Sequence, residues 1–416
     1  MKIIFFCYVY IILLLLYSLF IFFKYIVFLK KHDIKMDDKL SNNKDLFIAI
    51  PCLREQNVIV DTIKYFRKIC KLPIIIITTQ KENFEYSYDK NQLTTKEIIE
   101  QKILNKYNNI YLIDYPSTNG YMADQLNYML NNLSKFDFYN ETKDWYMLLY
   151  NADSKPSKET FKTIFSKINN NENVIQQYSY CFKNFNKLNF ISKGFSIYQS
   201  NFEIKVGLFN SILGYKYLYN YVVGHGLTIN LKTLKQMGYF NTKFWCEDIY
   251  LTMKLKYNNI NISSILQLEN IENAVSIKQI AKQNSVWYNT TKKYRKIYND
   301  IKKQSVKNSY NGFISFFNEF RCAVNWLLFP IVFLINLFIS LFCNKFIICI
   351  ISIFSLLFYS FINYYITIST INKLNKKKYL FSIYNYAAYT MALLISNIGP
   401  LYSIICREKE KYKTER

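Results

Sequence analysis

The sequence predicts an α/β fold: a mostly parallel sheet with helices on both faces, flanked by transmembrane helices. Three observations predict it. From about Asp45 to Asn308, short continuous apolar runs alternate with amphipathic stretches of helical period. Apolar blocks of membrane length stand before and after that segment. Carboxylates and small polar residues gather where the apolar runs end, which is where open parallel sheets bind ligands.

The chain has 416 residues, enough for one domain of roughly 250–280 residues plus membrane segments. Hydrophobic content of 51% and aromatic content of 18% are high for a soluble protein, and the excess sits at the two ends. A formal charge of +24 suits either anionic headgroups at a cytoplasmic face or nucleic acid. The lysines are scattered and form no arginine-rich stripe, so no nucleic-acid partner is expected. Nine cysteines occur without C-x-x-C or paired histidine spacing, which argues against a disulfide framework or a zinc site.

Ile3 to Phe23 contains no charged residue and spans roughly 31 Å as a helix. It is too long for a signal-peptide core, and no small-x-small cleavage site follows. Lys24, Lys30, Lys31 and Lys35 follow it, so the positive-inside rule puts the next residues in the cytoplasm. Three further apolar blocks cover Val324–Phe342, Phe346–Ile371 and Leu380–Ile405. Gly312 to Arg321, with aromatics alternating with polar residues, reads as an interfacial helix or as the frayed start of the membrane helix. Lys373 and Lys376 to Lys378 belong inside, and so does the basic tail Arg407–Arg416, yet one crossing separates them. One of the three blocks is therefore expected to be re-entrant or interfacial, with Gly399-Pro400 breaking the last.

Within the soluble segment, Leu46–Ile50, Ile74–Ile77, Ile110–Ile113 and Trp145–Tyr150 read as buried strands. Gln56–Cys70, Thr94–Tyr107 and Gly120–Leu133 read as the helices between them. Arg54, Glu55, Thr78, Thr79, Asn151 and Asp153 then fall at the carboxyl ends of strands. The chain contains no Gly-x-Gly-x-x-Gly and no P-loop, which argues against a dinucleotide oxidoreductase or an ATPase.

Four places can carry chemistry. Asp153, just past a buried strand, suits Mg²⁺ or Mn²⁺ shared with substrate phosphates, or alternatively a helix N-cap with Ser154 ahead of Pro156. Glu247-Asp248 opens a helical stretch and is either a first-turn acidic pair or the seat of a general base. Gly224-His225-Gly226 lets a substrate approach the backbone closely, although a lone histidine is more often structural. Trp287 is either a core or interfacial anchor or a platform for a sugar ring.

Taken in order, these segments resemble the membrane-integrated family 2 glycosyltransferases, which include cellulose, hyaluronan and poly-N-acetylglucosamine synthases. The resemblance covers roughly residues 45–290 and the flanking helices. Ile50-Pro51-Cys-Leu-Arg-Glu55 is similar to the first-strand motif near the nucleoside. Gly120 to Asn127, with Asp124, is similar to the segment before the metal strand, and Asn151-Ala-Asp153-Ser154 to the D-A-D-S motif. Gly224-His225-Gly226 lies where the family lines the acceptor path. Glu247-Asp248 is similar to the T-E-D motif whose Asp is the general base, and Gln283 to Trp287 to Q-x-x-R-W. Tyr412–Arg416 resembles a W-x-K-T-x-R tail.

The resemblance implies a GT-A-like fold and an inverting, metal-dependent transfer from a nucleotide-diphosphate sugar to a polysaccharide or lipid-linked acceptor. It implies Asp153 as the Mg²⁺ or Mn²⁺ ligand and Asp248 as base beside Glu247. Pro51, Glu55, Asp124, Asn127, Asn151 and Gln283 would bind the donor, and Gly224, His225 and Trp287 the acceptor. The expected organisation is an N-terminal transmembrane helix (1–31), a cytoplasmic catalytic domain (45–308), interfacial and transmembrane helices (312–406) and a basic tail (407–416), in a bacterial inner membrane.

Four positions depart from the family pattern. Asn151 replaces the first Asp of D-A-D-S, Val286 replaces the Arg of Q-x-x-R-W, and Met122 stands where a Lys is usual. Lys282 and Lys292 are the substitutes at hand for the lost phosphate contacts, and the second strand ends in Thr78-Thr-Gln-Lys-Glu82 instead of an acidic pair. The rival expectation is a catalytically inactive membrane subunit that binds sugar nucleotide or polysaccharide for a partner synthase.

Overall fold

The computed structural model describes residues 2–31, 36–85, 92–214, 219–244, 246–304 and 310–406. The basic tail with its Tyr412–Arg416 pattern, Lys35 and the expected domain end at 308 lie outside the described residues.

The isoleucine- and leucine-rich runs form strands β1 (Lys44–Pro51), β2 (Ile74–Thr79), β3 (Ile110–Tyr115) and β4 (Asp144–Leu149). They pair parallel in the order β3-β2-β1-β4, as the continuous apolar pattern predicts. Five more strands are short: β5 (Val174–Gln176), β6 (Ser179–Tyr180), β7 (Leu227–Asn230), β8 (Ser263–Ser264) and β9 (Glu269–Asn270). β7 joins antiparallel to β4 and β5, and β8 completes a seven-stranded sheet beside β5. β6 and β9 form a separate parallel pair. Strands of two to four residues carry too little period to be legible in the sequence.

The helices used below are α1 (Lys2–Lys30), α2 (Ile59–Ile69), α3 (Met122–Asn131), α4 (Lys158–Asn169), α5 (Phe190–Phe202) and α6 (Glu247–Tyr257). They continue with α7 (Ile277–Thr291), α8 (Tyr294–Gln304), α9 (Tyr310–Phe342), α10 (Phe346–Asn375), α11 (Ile383–Leu394) and α12 (Ile398–Ile405). Alternate strand residues feed two cores. Phe47, Ala49, Ile75, Ile77, Met147 and Leu149 pack with Leu126 and Met129 of α3. Leu46, Ile48, Ile50, Ile74, Ile76 and Leu148 pack with Ile59, Ile63 and Phe66 of α2 and with Ile164 and Ile168 of α4. Each fully buried side chain of this size contributes about 1.5–3 kcal/mol. The helix expected over Thr94–Tyr107 is an α-helix, Thr95–Ile99, that widens into a π-turn, Glu100–Leu104.

Among the described residues, four helices are long and apolar enough to cross a membrane: Phe5–Lys30, Tyr310–Phe342, Phe346–Asn375 and Ile383–Ile405 taken as a whole. The first runs past Phe23 because the Lys24 ammonium finds buried acceptors in the Lys205 carbonyl, at 3.0 Å, and Asn210 Oδ1, at 2.5 Å. α1 and α10 run parallel: Tyr17 stacks on Tyr359 at 6.2 Å and, further along both, Tyr25 hydrogen-bonds Ser369 at 2.6 Å. α9 runs antiparallel to α10, with Phe329 against Tyr359 and Asn336 against Ser352.

Of the two readings for Gly312–Arg321, the structure shows the start of the membrane helix: these residues make the first turns of α9. Those turns pack against α8 through the Tyr298–Phe316 ring pair and a Tyr294 hydroxyl that donates to Glu319 at 3.0 Å, and against α6 where Gly312 meets Tyr257. The last block breaks at 395–397, ahead of Gly399-Pro400; Pro400 sits in the first turn of α12, where its missing N–H costs no helical bond. α11 lies on α5 so closely that a Cβ at Gly194 would come within 2.1 Å of the Ala388 carbonyl oxygen. α12 lies on α7, where Ser403 Oγ donates to Asn289 Oδ1 at 2.8 Å.

Candidate active site

β1 and β4 are neighbours, while β2 and β3 extend the sheet on the other side of β1. Strand order reverses there, which opens a crevice beyond the carboxyl ends of β1 and β4. Pro51 ends β1, in register with Ile77 of β2. In the loop that follows, Arg54 has the left-handed φ of +54°. Its backbone is held by Glu82, whose buried carboxylate accepts from Arg54 N–H at 3.0 Å, Gln56 Nε2 at 2.7 Å, and Thr95 N–H and Oγ1 at 2.7 and 2.8 Å. Glu55 is buried, with its N–H donating to Thr95 Oγ1 at 2.8 Å. Glu82 thus organises the first-strand loop, a role its place in a polar run did not reveal. The carboxylate missing after β2 is supplied at the end of β3, where Asp114 accepts from Thr78 Oγ1 at 2.8 Å and Lys96 at 3.3 Å.

After β4, Asn151 and Ser154 close a tight turn: Ser154 N–H donates to the Asn151 carbonyl at 3.1 Å, and Asn151 N–H to Ser154 Oγ at 3.2 Å. Half-buried Asp153 sits within the turn. The N-cap alternative for Asp153 or Ser154 does not hold, because Ser157 caps α4 by accepting from Thr160 N–H at 3.3 Å.

α3 places Asp124 and Asn127 differently. Asp124 Oδ2 accepts from Tyr121 N–H at 2.8 Å and so fixes the start of the helix. The Asn127 amide is engaged at both ends by Phe240: Nδ2 donates to its carbonyl at 2.8 Å and Oδ1 accepts from its N–H at 3.0 Å. That pair ties α3 to the loop ahead of α6.

Gly224-His225-Gly226 leads into β7. Gly226 has φ +65°, and a Cβ there would come within 2.7 Å of the Gln177 carbonyl oxygen, so the backbone admits only glycine. Gly224 is the meeting point of three elements: a Cβ on it would lie 3.2 Å from Met122 Cε of α3 and 3.8 Å from Glu247 Oε1 of α6. Glu247 and Asp248 are the first two residues of α6; Glu247 is buried and Asp248 half-buried. Asp248 Oδ1 accepts from Ile249 N–H at 2.8 Å.

His225 and Glu203 link the two acidic ends. The buried His225 Nδ1 lies 3.5 Å from Glu269 Oε2, an ion-pair distance longer than a tight hydrogen bond. Burial alone would lower the imidazolium pKa, but Glu269, Glu203 and Asp153 together outweigh it and the net shift is upward. Glu269 also accepts from Lys155 N–H at 3.1 Å, which joins the Asp153 turn to the histidine. Glu203 has its pKa pushed up to about 7, first by burial and also by Asp248, against the opposing pull of His225 and the Ser179 N–H. Asp153 and Asp248 therefore lie within electrostatic reach of one buried His–Glu pair. Sequence reasoning missed Glu203 and Glu269; their only signal is an acid inside an otherwise apolar or amide-rich run.

Gln283 and Trp287 are one turn apart on α7, with Trp287 36% exposed and Val286 buried. Thr290 Oγ1 approaches Cys246 Sγ at 2.8 Å, so α7 abuts the residue before Glu247. The Lys292 ammonium is drawn away to the Ser403 carbonyl of α12.

Neither a known protein-family model nor a curated protein sequence matches this chain. The fold is similar over 94% of the chain, and over 95% of the other, to a mannosyltransferase, PcManGT, from Pyrobaculum calidifontis in complex with GDP-Man and Mn²⁺ (TM-score 0.50, 11% identity). The protein thus has a glycosyltransferase-like α/β fold flanked by apolar helices.

Proposed function

We propose that the protein is an inverting glycosyltransferase of the membrane-integrated family 2 type, moving a sugar from a nucleotide-diphosphate donor to an acceptor at the membrane. The observation that carries this reading is the chain of contacts joining the two acidic segments beyond the strand ends: Lys155 N–H donates to Glu269 at 3.1 Å, Glu269 lies 3.5 Å from His225, and a Cβ on the adjoining Gly224 would lie 3.8 Å from Glu247 Oε1. The likeness of nearly the whole fold to a mannosyltransferase supports it.

Pro51, Glu55 and Asn151 border the β1–β4 crevice and would hold the donor. Asp124 and Asn127 would act there indirectly, by positioning α3. Asp248 takes the proton of the acceptor hydroxyl as that oxygen attacks the anomeric carbon, with Glu247 beside it at the start of α6. Gly224 lets the acceptor approach, His225 and Trp287 hold it, and Gln283, one turn before Trp287 on the same face of α7, would reach the donor.

Among the described residues, no group of three or more histidine, cysteine, aspartate or glutamate side chains is placed to hold a metal ion. A hard cation that shares substrate phosphates needs only one or two protein carboxylates, so Asp153 with the Asn151 amide fits Mg²⁺ or Mn²⁺. When bound, such an ion would neutralise charge on the leaving diphosphate.

We place the domain (45–308) in the cytoplasm, with α1, α9 and α10 crossing and α11–α12 re-entrant on the cytoplasmic side. At about 18 and 12 Å, α11 and α12 are each too short to cross, and they rest on α5 and α7. Labelling of Cys406 from outside intact cells would overturn this topology. A second reading, a sugar-nucleotide-binding subunit without activity, is favoured by the apolar residues Met122 and Val286 where the family has cations.

Nucleotide diphosphate release from a panel of UDP- and GDP-sugars by the purified protein, with lipid extract as acceptor, tests the proposal. Release with at least one donor is expected; binding of a donor without release from any would favour the inactive subunit.

A further inference from the structure

The membrane side of the fold holds a cluster of cations that the reaction above does not use. Lys24 of α1 and Lys205 are both buried. The Lys205 ammonium donates to Asn363 Oδ1 of α10 at 3.0 Å and lies 5.8 and 5.7 Å from the ring centroids of Tyr17 and Tyr359. Arg321 of α9 is exposed and close enough to act on both lysines. Among the described residues, none of the three cations pairs with a carboxylate; their partners are carbonyls, amides, rings and a thiol. Burial, the largest cause, and Arg321 push the Lys205 pKa down, as expected of a cation lacking its counter-ion.

Buried charge is costly unless it is matched, and beside apolar spanning helices it commonly marks a ligand site. The placement indicates the ligand. Lys205 stands on a π-turn, Glu203–Leu208, and turns of that kind mark functional positions. Two residues earlier on the same turn, Glu203 accepts from Ser179 N–H at 3.4 Å and acts on His225 and Asp248. One turn of backbone therefore carries both Glu203, which acts on the proposed base Asp248, and Lys205, which stands with the cations between α1, α9 and α10.

We propose that Lys24, Lys205 and Arg321 seat the phosphate of a phosphate-linked membrane lipid whose sugar is the acceptor. This rests on the glycosyltransferase reading and narrows its acceptor to a lipid-phosphate-linked sugar. The sugar hydroxyl oxygen forms the new bond to the anomeric carbon, its proton goes to Asp248, and the nucleoside diphosphate leaves with the electron pair of the broken bond. The lipid phosphate stays intact and anchors the acceptor.

The test is binding of radiolabelled farnesyl diphosphate to the full chain in detergent, competed by farnesyl phosphate, farnesol, phosphatidylglycerol or inorganic phosphate. Farnesyl phosphate should compete at least about tenfold better than the other three, since charged pairing at a partly desolvated site contributes more than 1.4 kcal/mol. Lys205→Met should weaken the labelled ligand about tenfold, Lys205→Arg less than threefold, and Arg321→Gln about threefold. Equal competition by farnesol, phosphatidylglycerol or inorganic phosphate overturns the proposal, as does unchanged binding by the variants. If Lys205→Met fails to fold, Arg321→Gln decides, because that side chain is exposed. The readout needs no sugar transfer: selective binding without nucleotide release would keep this site and remove the glycosyltransferase reading alone.

Discussion

The two ends of the proposed cleft are built on opposite charge logic. At the donor end, carboxylates gather and the family's cations are gone: Met122 reaches Gly224, Val286 is buried, and Lys292 is drawn to α12. At the membrane end, Lys24, Lys205 and Arg321 stand together without an acid. On the function we propose, an acid-rich end accepts a diphosphate only with a divalent ion beside Asp153. A cation-rich end instead waits for an anion. The contrast explains why residues matched one by one to the family account for the donor end only in part, and say nothing of the other.

The largest effect should come from Asp248→Asn, which removes the base. Transfer should fall about 100- to 10,000-fold in initial-rate assays with little change in donor KM, and a wild-type rate would remove Asp248 from the chemistry. Asp153→Ala should cut divalent-metal stimulation at least tenfold in a Mn²⁺ titration, the loss expected even for residues that only support a ligand. Full stimulation would move the metal elsewhere and dissolve the contrast between the ends.

Two stability predictions separate the loops. Glu82→Ala leaves Arg54 N–H, Gln56 and Thr95 without their acceptor and should cost about 2–4 kcal/mol by thermal unfolding. Glu203→Gln should have the smallest effect, and one that depends on pH. The folded Glu203 pKa is raised from 4.5 to about 7, so stability from its protonated form is complete below pH 4.5 and lost as pH rises through 7. The glutamine variant should therefore gain about 1–3 kcal/mol over wild type at pH 8, the upper figure being the full shift converted, and the gain should vanish near pH 4.5. A pH-independent difference would show that burial does not raise the Glu203 pKa.

Sequence legibility followed segment length and period. β1 to β4 and α2 and α3 could be located to within a few residues, because buried runs such as Ile74–Ile77 and the Val58-Ile59-Thr62-Ile63-Phe66 stripe leave no other periodic solution. β5 to β9 left no trace, since pairs such as Ser263–Ser264 have no period to read. In the site, Asp153 and Asp248 were visible as acids at element ends. Glu82, Glu203 and Glu269 were not, because their roles come from burial and from partners distant in the chain.

By itself the sequence determined the parallel half of the sheet, the apolar blocks and the order of the acidic motifs, all of which rest on local hydrophobic period and strand-end chemistry. Only the tertiary structure decided that Gly224 meets both Met122 and Glu247, that Glu269 joins the Asp153 turn to His225, and that three cations from α1, the π-turn and α9 come together without an acid. Those are matters of distance and desolvation between residues far apart in the chain, and no local pattern encodes them.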